Sequence, residues 1–307
     1  MELADFFDTS VDVLLGYEMK DNRLQATVER LKRYREEKDR AGFAEAEKAL
    51  KKYPNSFDVV YYSAALYAAF GLESKEKPIL HRALELLECS RLQLSQNTDP
   101  KISETTLYGK MAAILLCLGD AEQAVDLLKR NNADGMYDSL IGLTLAADCG
   151  RPDEALPFLS ESLLSHTASL VQTVIGYLNV FFEKGDYVSA GDILRWEIGT
   201  LSGLKDGEKA SFFDKMNCVL LACLAETELR SGDPSAARRA LLRANELAGQ
   251  FDTAPSYRLR TVRFTSPTEH ASAYDDLGAT AGESIRNILR AFADEELNAI
   301  WGEVSEQ

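Results

Sequence analysis

The chain has 307 residues, 46% of them hydrophobic, and 49 acidic against 34 basic side chains give it a formal charge of −15. That is enough apolar material for a large core without staples, and the summed field repels phosphate backbones, which argues against direct grip on nucleic acid. Cys89, Cys117, Cys149, Cys218 and Cys223 are odd in number and lack C-x-x-C spacing, no run approaches the ~18 apolar residues of a membrane span, and no leader pattern opens the sequence. A cytoplasmic protein with no membrane contact and reduced, mostly buried thiols is expected.

The first segment, residues 1–20, contains Leu3-Ala4-Asp5-Phe6-Phe7-Asp8-Thr9-Ser10-Val11-Asp12-Val13-Leu14-Leu15-Gly16-Tyr17. It reads as two short apolar helices around a Thr-Ser cap, the second ended by glycine, and is too small to fold alone. It resembles the tail of Xre-type, lambda-repressor-like helix-turn-helix domains, whose last helices run Leu-Ala-x-x-Phe-x-Val-Ser-x-Asp-x-Leu-Leu-Gly. Leu3, Ala4, Phe7, Ser10, Asp12, Leu14, Leu15 and Gly16 match, while Thr9 stands where that pattern has Val. In that family the helices that meet DNA precede this tail. The resemblance therefore implies the effector part of a bacterial transcription regulator, with DNA contact made only through an N-terminal domain absent from this sequence.

Residues 21–250 carry a recurrent turn. Gly119-Asp120 is followed by Ala124, Gly150 by Ala155, Gly185-Asp186-Tyr187 by Ala190, and Gly232-Asp233-Pro234 by Ala237, each alanine five positions after its glycine. A helical run leads into each glycine, as over Tyr137–Asp148, and an amphipathic run leads out, as over Ala155–Leu164. The glycine takes the left-handed conformation that ends one helix, Asp or Pro starts the next, and alanine lets the axes approach. Gly185 to Ala190 (Gly-Asp-Tyr-Val-Ser-Ala) is similar to the tetratricopeptide turn. Weaker copies stand at Ala41–Ala46, ending in Tyr53-Pro54, and at Tyr61–Gly71 followed by Ala83, with a turn lengthened by residues 72–77. The small residues at 46, 83, 124, 155, 190 and 237 step by 37, 41, 31, 35 and 47, against a family period of about 34. The expected fold is all-α: a right-handed superhelix of about six degenerate tetratricopeptide-like helix pairs with C-terminal capping helices.

In the last segment, residues 251–307, Pro255, Pro267 and Gly278 predict an irregular connection over Phe251–Thr280. Helices are expected at Ser284–Phe292 and Glu295–Val304, with Ile285, Ile288, Leu289 and Phe292 on the face that caps the stack. Arg258, Arg260 and Arg263 in the connection read as intramolecular or dimer contacts. The mixed run Glu29–Arg40 reads as a solvated helix face over a buried stripe of Leu24, Val28 and Leu31.

Catalytic chemistry has no visible seat. His81, His166 and His270 stand alone, every glycine is a turn glycine rather than part of a phosphate loop, and paired acids such as Asp275-Asp276 and Glu295-Glu296 read as solvated. A non-enzymatic protein with no metal and no cofactor is expected. The tetratricopeptide resemblance places a ligand groove on the first helix of each pair. The register puts Asp58, Tyr61 and Ala65 on its wall, then Tyr137, Leu140 and Thr144, then Gln172, Ile175, Asn179 and Phe182, then Val219, Ala222, Glu226 and Leu229. Tyr61, Tyr137, Thr144, Gln172, Asn179 and Glu226 are the candidate contacts for a peptide or protein, amides pairing with its backbone and apolar pockets taking its side chains. The Lys and Asn set of a carboxylate clamp is missing, with Asn179 the sole amide of that kind, which argues against a chaperone adaptor. The expected role is sensing and homodimerisation in a regulator; the alternative is a tetratricopeptide interaction scaffold with no DNA role.

Overall fold

A computed structural model describes residues 24–207, 210–265 and 274–306. The Xre-like tail at residues 3–17, and His270, lie outside the described residues. Every regular element described is a helix, and the single extended pairing is one isolated bridge between Lys205 and Val262. No described helix is long and apolar enough to cross a membrane. The chain divides into two compact units after Tyr137, inside the segment read as one repeat array.

The first unit contains α1 (Leu24–Glu36), α2 (Gly42–Lys52), α3 (Phe57–Ser74), α4 (Lys77–Leu92), α5 (Glu104–Leu118) and α6 (Ala121–Arg130). Helix α3 packs against α1, α2 and α4, and α5 links α4 to α6. Leu31, Ala46, Phe57, Leu66, Leu80, Ala83, Leu87 and Ile114 fill the core. Of the stripe expected on α1, Val28 and Leu31 are buried and Leu24 is exposed, while Arg30 pairs with Glu45 of α2 at 2.8 Å. The turn expected after Gly71 differs. Helix α3 continues to Ser74, and the left-handed residue that ends it is Lys75, at φ 57°. Gly71 serves close approach instead: a Cβ there would stand 2.9 Å from Leu80 Cδ2 of α4.

The second unit contains α7 (Asp138–Ala147), α8 (Pro152–Lys184), α9 (Tyr187–Leu204), α10 (Phe212–Arg230), α11 (Pro234–Thr253), α12 (Ala281–Phe292) and α13 (Glu295–Ser305). Across the two units Gly119, Gly150, Gly185 and Gly232 take left-handed φ values of 90°, 65°, 67° and 86°, as the turn chemistry requires. Asp186 and Asp233 cap the following helices by accepting from the N–H groups of Ser189 and Ala236. Ala124, Ala155, Ala190 and Ala237 are all buried.

One pair boundary is missing. The helices expected over Ala155–Leu164 and around Gln172–Phe182 are a single 33-residue helix, α8. Between Pro157 and Gly176 no glycine or proline interrupts the run. The small polar residues that signal a loop are instead absorbed by the helix: Ser160, Thr167, Ser169 and Thr173 each donate to the carbonyl four residues back.

Helix α10 is the axis of the second unit. Fifteen of its 19 residues are buried, because α9, α11 and α12 surround it. The terminal helices appear where expected and pack on α10 and α11, with Ile285, Leu289, Leu297 and Val304 buried. Asp252 of α11 accepts from the N–H groups of Ala281 and Gly282, tying down the start of α12. The described parts of the connection before α12, residues 254–265 and 274–280, hold no α-helix, and Arg263 makes an intramolecular contact there through its side-chain bond to the Gly203 carbonyl.

Candidate ligand-binding site

In the second unit α8 presents Leu164, Ala168, Val171 and Ile175 along one face, at helical spacing. Opposite stand Phe212, Met216, Val219 and Leu220 of α10, and the stretch Tyr274–Leu277 closes a third side. Together they bound a cavity of about 460 Å³. Polar groups are few and lie among the lining as Glu161, Thr167, Gln172, Asp275 and Asp276. Apolar walls with sparse polar groups are the usual makeup of a site for an organic ligand.

The closing stretch is held by a buried cation. Lys215, 1% exposed, donates from Nζ to Asp275 Oδ1 at 2.8 Å, to the Tyr257 hydroxyl at 2.9 Å and to the Gly278 carbonyl at 2.5 Å. Burial works against its charge, but the bonds to Asp275 and Tyr257 prevail and hold its pKa above the ordinary lysine value. Nearby, Ser211 and Asp214 form a capping box at the start of α10, and Asp214 pairs with Lys205 at 2.9 Å. None of these long-range partners has a signal in the sequence, since Lys215 and Asp275 stand 60 positions apart.

The six predicted contacts do not share a groove. Gln172 lines the α8–α10 cavity, and so do Ile175 and Val219. Tyr61 lines a separate cavity in the first unit. Asn179 is exposed on α8 but is not part of the cavity wall. Tyr137 is buried, its N–H donating to Asn132 Oδ1 at 2.8 Å and its hydroxyl to the Thr105 carbonyl, so it secures the turn after α6. Thr144 is 1% exposed within α7 and its hydroxyl has no partner among the described residues. Glu226 is fully buried on α10, where Oε1 accepts from Arg230 Nε at 2.5 Å and Oε2 has no donor among the described residues. Burial raises its pKa against the pull of Arg230. Tyr137, Thr144 and Glu226 are thus core residues, because the faces that the repeat register assigned to a groove are covered by neighbouring helices.

The remaining chemical candidates are dispersed. His166 Nδ1 lies 2.7 Å from the Ser162 carbonyl within α8. Cys218 and Cys223 are buried, and desolvation pushes both thiols up to about 12; Cys89, Cys117 and Cys149 are half-buried. Among the described residues no three His, Cys, Asp or Glu side chains gather as metal ligands.

Fold and cavity together define an all-helical protein of packed helix pairs with an apolar cleft in its C-terminal unit. No family model matches the chain, and comparison with curated proteins gives no match either.

Proposed function

We propose that this chain is the sensing part of a bacterial-type transcription regulator and that it takes an apolar peptide segment in the α8–α10 cavity. The observation that carries the ligand reading is the cavity itself: its volume of about 460 Å³ falls in the ~300–1,000 Å³ range of organic-ligand clefts. Gln172 supplies an amide for a peptide backbone, and Leu164, Val171, Ile175 and Met216 supply the apolar surface for its side chains. The regulatory half of the proposal rests on the helix-turn-helix resemblance at Leu3–Gly16, with DNA contact made outside the helix pairs. Homodimerisation belongs to the same reading and is supported by Val188 and Trp196 on α9, which are 73% and 56% exposed.

The test is an array of apolar peptides five to eight residues long, probed with the full chain and with Ile175→Asp. Retention of a subset by the wild type, lost by the variant whose circular dichroism is unchanged, is the expected result. No retained peptide, or equal retention by both, overturns the ligand reading. Transcript profiling of cells carrying Ile175→Asp then separates regulator from scaffold: a changed set of transcripts supports the first, and unchanged transcripts with peptide binding intact in the wild type support the second.

A further inference from the structure

Most arginines of the first unit are paired with carboxylates. Arg30 pairs with Glu45, Arg40 with Glu76, Arg82 with Glu47 and Glu85, and Arg91 with Glu88 and Glu104. Arg35, Lys101 and Lys110 form no ion pair with any described residue, yet all three line one cavity of about 570 Å³. In a chain with formal charge −15, three cations around one cavity with no ion-pair partner among the described residues need a reason. The single carboxylate of the lining, Asp99, already accepts from the Lys101 N–H at 2.9 Å. Lys32, one turn before Arg35 on α1, lies 4.4 Å from the centre of the Tyr62 ring and adds a further positive charge.

The rest of the wall is aromatic and apolar. Tyr61 and Tyr62 line the cavity with Ile102 and Ala113. Tyr61 stacks on Phe57 at 5.6 Å and meets Tyr62 edge-on at 5.2 Å, so the aromatic surface is fixed by its neighbours. Tyr61 is buried, and its pKa is raised by burial and by Tyr62 against the opposing pull of Arg35, so its hydroxyl stays a neutral donor.

We propose that this cavity binds a small organic anion, with a phosphate or carboxylate held by Arg35, Lys101 and Lys110 and a flat apolar body laid against Tyr61 and Tyr62. Charge complementarity selects the anion: cations with no carboxylate partner among the described residues make charge-assisted hydrogen bonds to an oxyanion without first breaking a pair within them. The aromatic wall selects the body, since a ring or apolar chain gains area there that a bare inorganic ion does not. The site lies wholly within the first unit and is independent of the peptide reading above.

Calorimetric titration of the full chain with phenyl phosphate, benzoate, inorganic phosphate, acetate and benzyl alcohol tests it. Phenyl phosphate or benzoate is expected to bind at least about tenfold more tightly than the inorganic or small anion of the same charge type and than the neutral alcohol. Which of the two binds more tightly distinguishes a phosphate from a carboxylate ligand. Arg35→Gln and Lys110→Gln are each expected to weaken that binding about tenfold, Tyr62→Ala to abolish the preference for the aromatic body, and Lys48→Gln, on the exposed face of α2, to leave binding unchanged. Melting curves of each variant verify folding. The proposal is overturned if neither aromatic anion binds at millimolar concentration. It is equally overturned if Lys48→Gln weakens binding as much as Arg35→Gln and Lys110→Gln do, which would mark nonspecific charge attraction.

Discussion

Lys215 and Asp275 meet at 2.8 Å although 60 positions separate them, and this ion pair fastens the Tyr274–Leu277 wall of the cavity to the start of α10. Removing one member of a buried pair leaves the other without its counter-charge, which costs about 3–5 kcal/mol, although Lys215 keeps its bonds to Tyr257 and Gly278. Asp275→Ala is expected to lower stability by that order and to weaken any ligand of the α8–α10 cavity more than a change on α9 does. Because the Lys215 pKa is raised in the folded state, its contribution is complete below the unfolded lysine value of 10.5 and is lost as pH rises through the folded value. Chemical denaturation between pH 7 and pH 11, wild type beside Asp275→Ala, reads both effects, and the gap between them should begin to narrow as pH rises past 10.5.

Glu197 of α9 is fully buried, and neither carboxylate oxygen has a hydrogen-bond partner among the described residues. Desolvation alone raises its pKa, so the protonated form is the one the folded chain prefers. A raised acid contributes stability that is complete below the unfolded value of 4.5 and disappears as pH climbs through the folded one. Glu197→Gln should therefore match the wild type at pH 4 and exceed it at pH 7, by roughly 1–3 kcal/mol. Urea titrations at the two pH values check this; equal stability at both would mean that the carboxyl is solvated.

Gly142 of α7 faces Leu159 and Ala155 of α8, and a Cβ at Gly142 would stand 2.6 Å from Leu159 Cγ and 3.2 Å from the Ala155 carbonyl oxygen. The two helices are in contact at the smallest side chains available. Ala155→Trp should cost at least about 1–3 kcal/mol by overpacking, and Gly142→Ala should cost less because the Leu159 side chain can shift. Thermal denaturation ranks the two, and a neutral Ala155→Trp contradicts the close approach.

Asn179 and Ile175 lie one turn apart on α8, but Ile175 alone is part of the cavity wall. Asn179 is exposed, so Asn179→Ala is expected to leave melting temperature and peptide retention unchanged. Gln172→Ala should preserve folding and weaken peptide binding by about 0.5–1.5 kcal/mol, the net worth of one hydrogen bond. Titration with a peptide recovered from the array, run on both variants, separates them. A loss of binding confined to Asn179→Ala would move the site off the α8–α10 cavity.

What the sequence alone determined about this protein is local. Gly119, Gly150, Gly185 and Gly232 end helices because only a left-handed residue makes that turn cheaply, and the alanines five positions on are buried because two axes cross there. These rules act within a few residues, so the four glycine turns and both terminal helices were legible, while the boundary expected inside α8 and the turn expected at Gly71 were not borne out. The run from Phe158 to Ile175 was expected to hold a boundary between two helices, although it has no glycine or proline; its serine and threonine hydroxyls bond within the single helix instead. Tertiary structure alone decided which helix faces stay open. Glu226 carries a polar group that periodicity assigns to a groove, and its burial depends on helices that arrive from elsewhere in the chain, such as α12 and α13 around α10, while Thr144 is buried on α7, which packs on α8. The Lys215–Asp275 pair and the gathering of Arg35, Lys101 and Lys110 around Tyr61 have the same origin: charges far apart in sequence meet only after packing has set their positions.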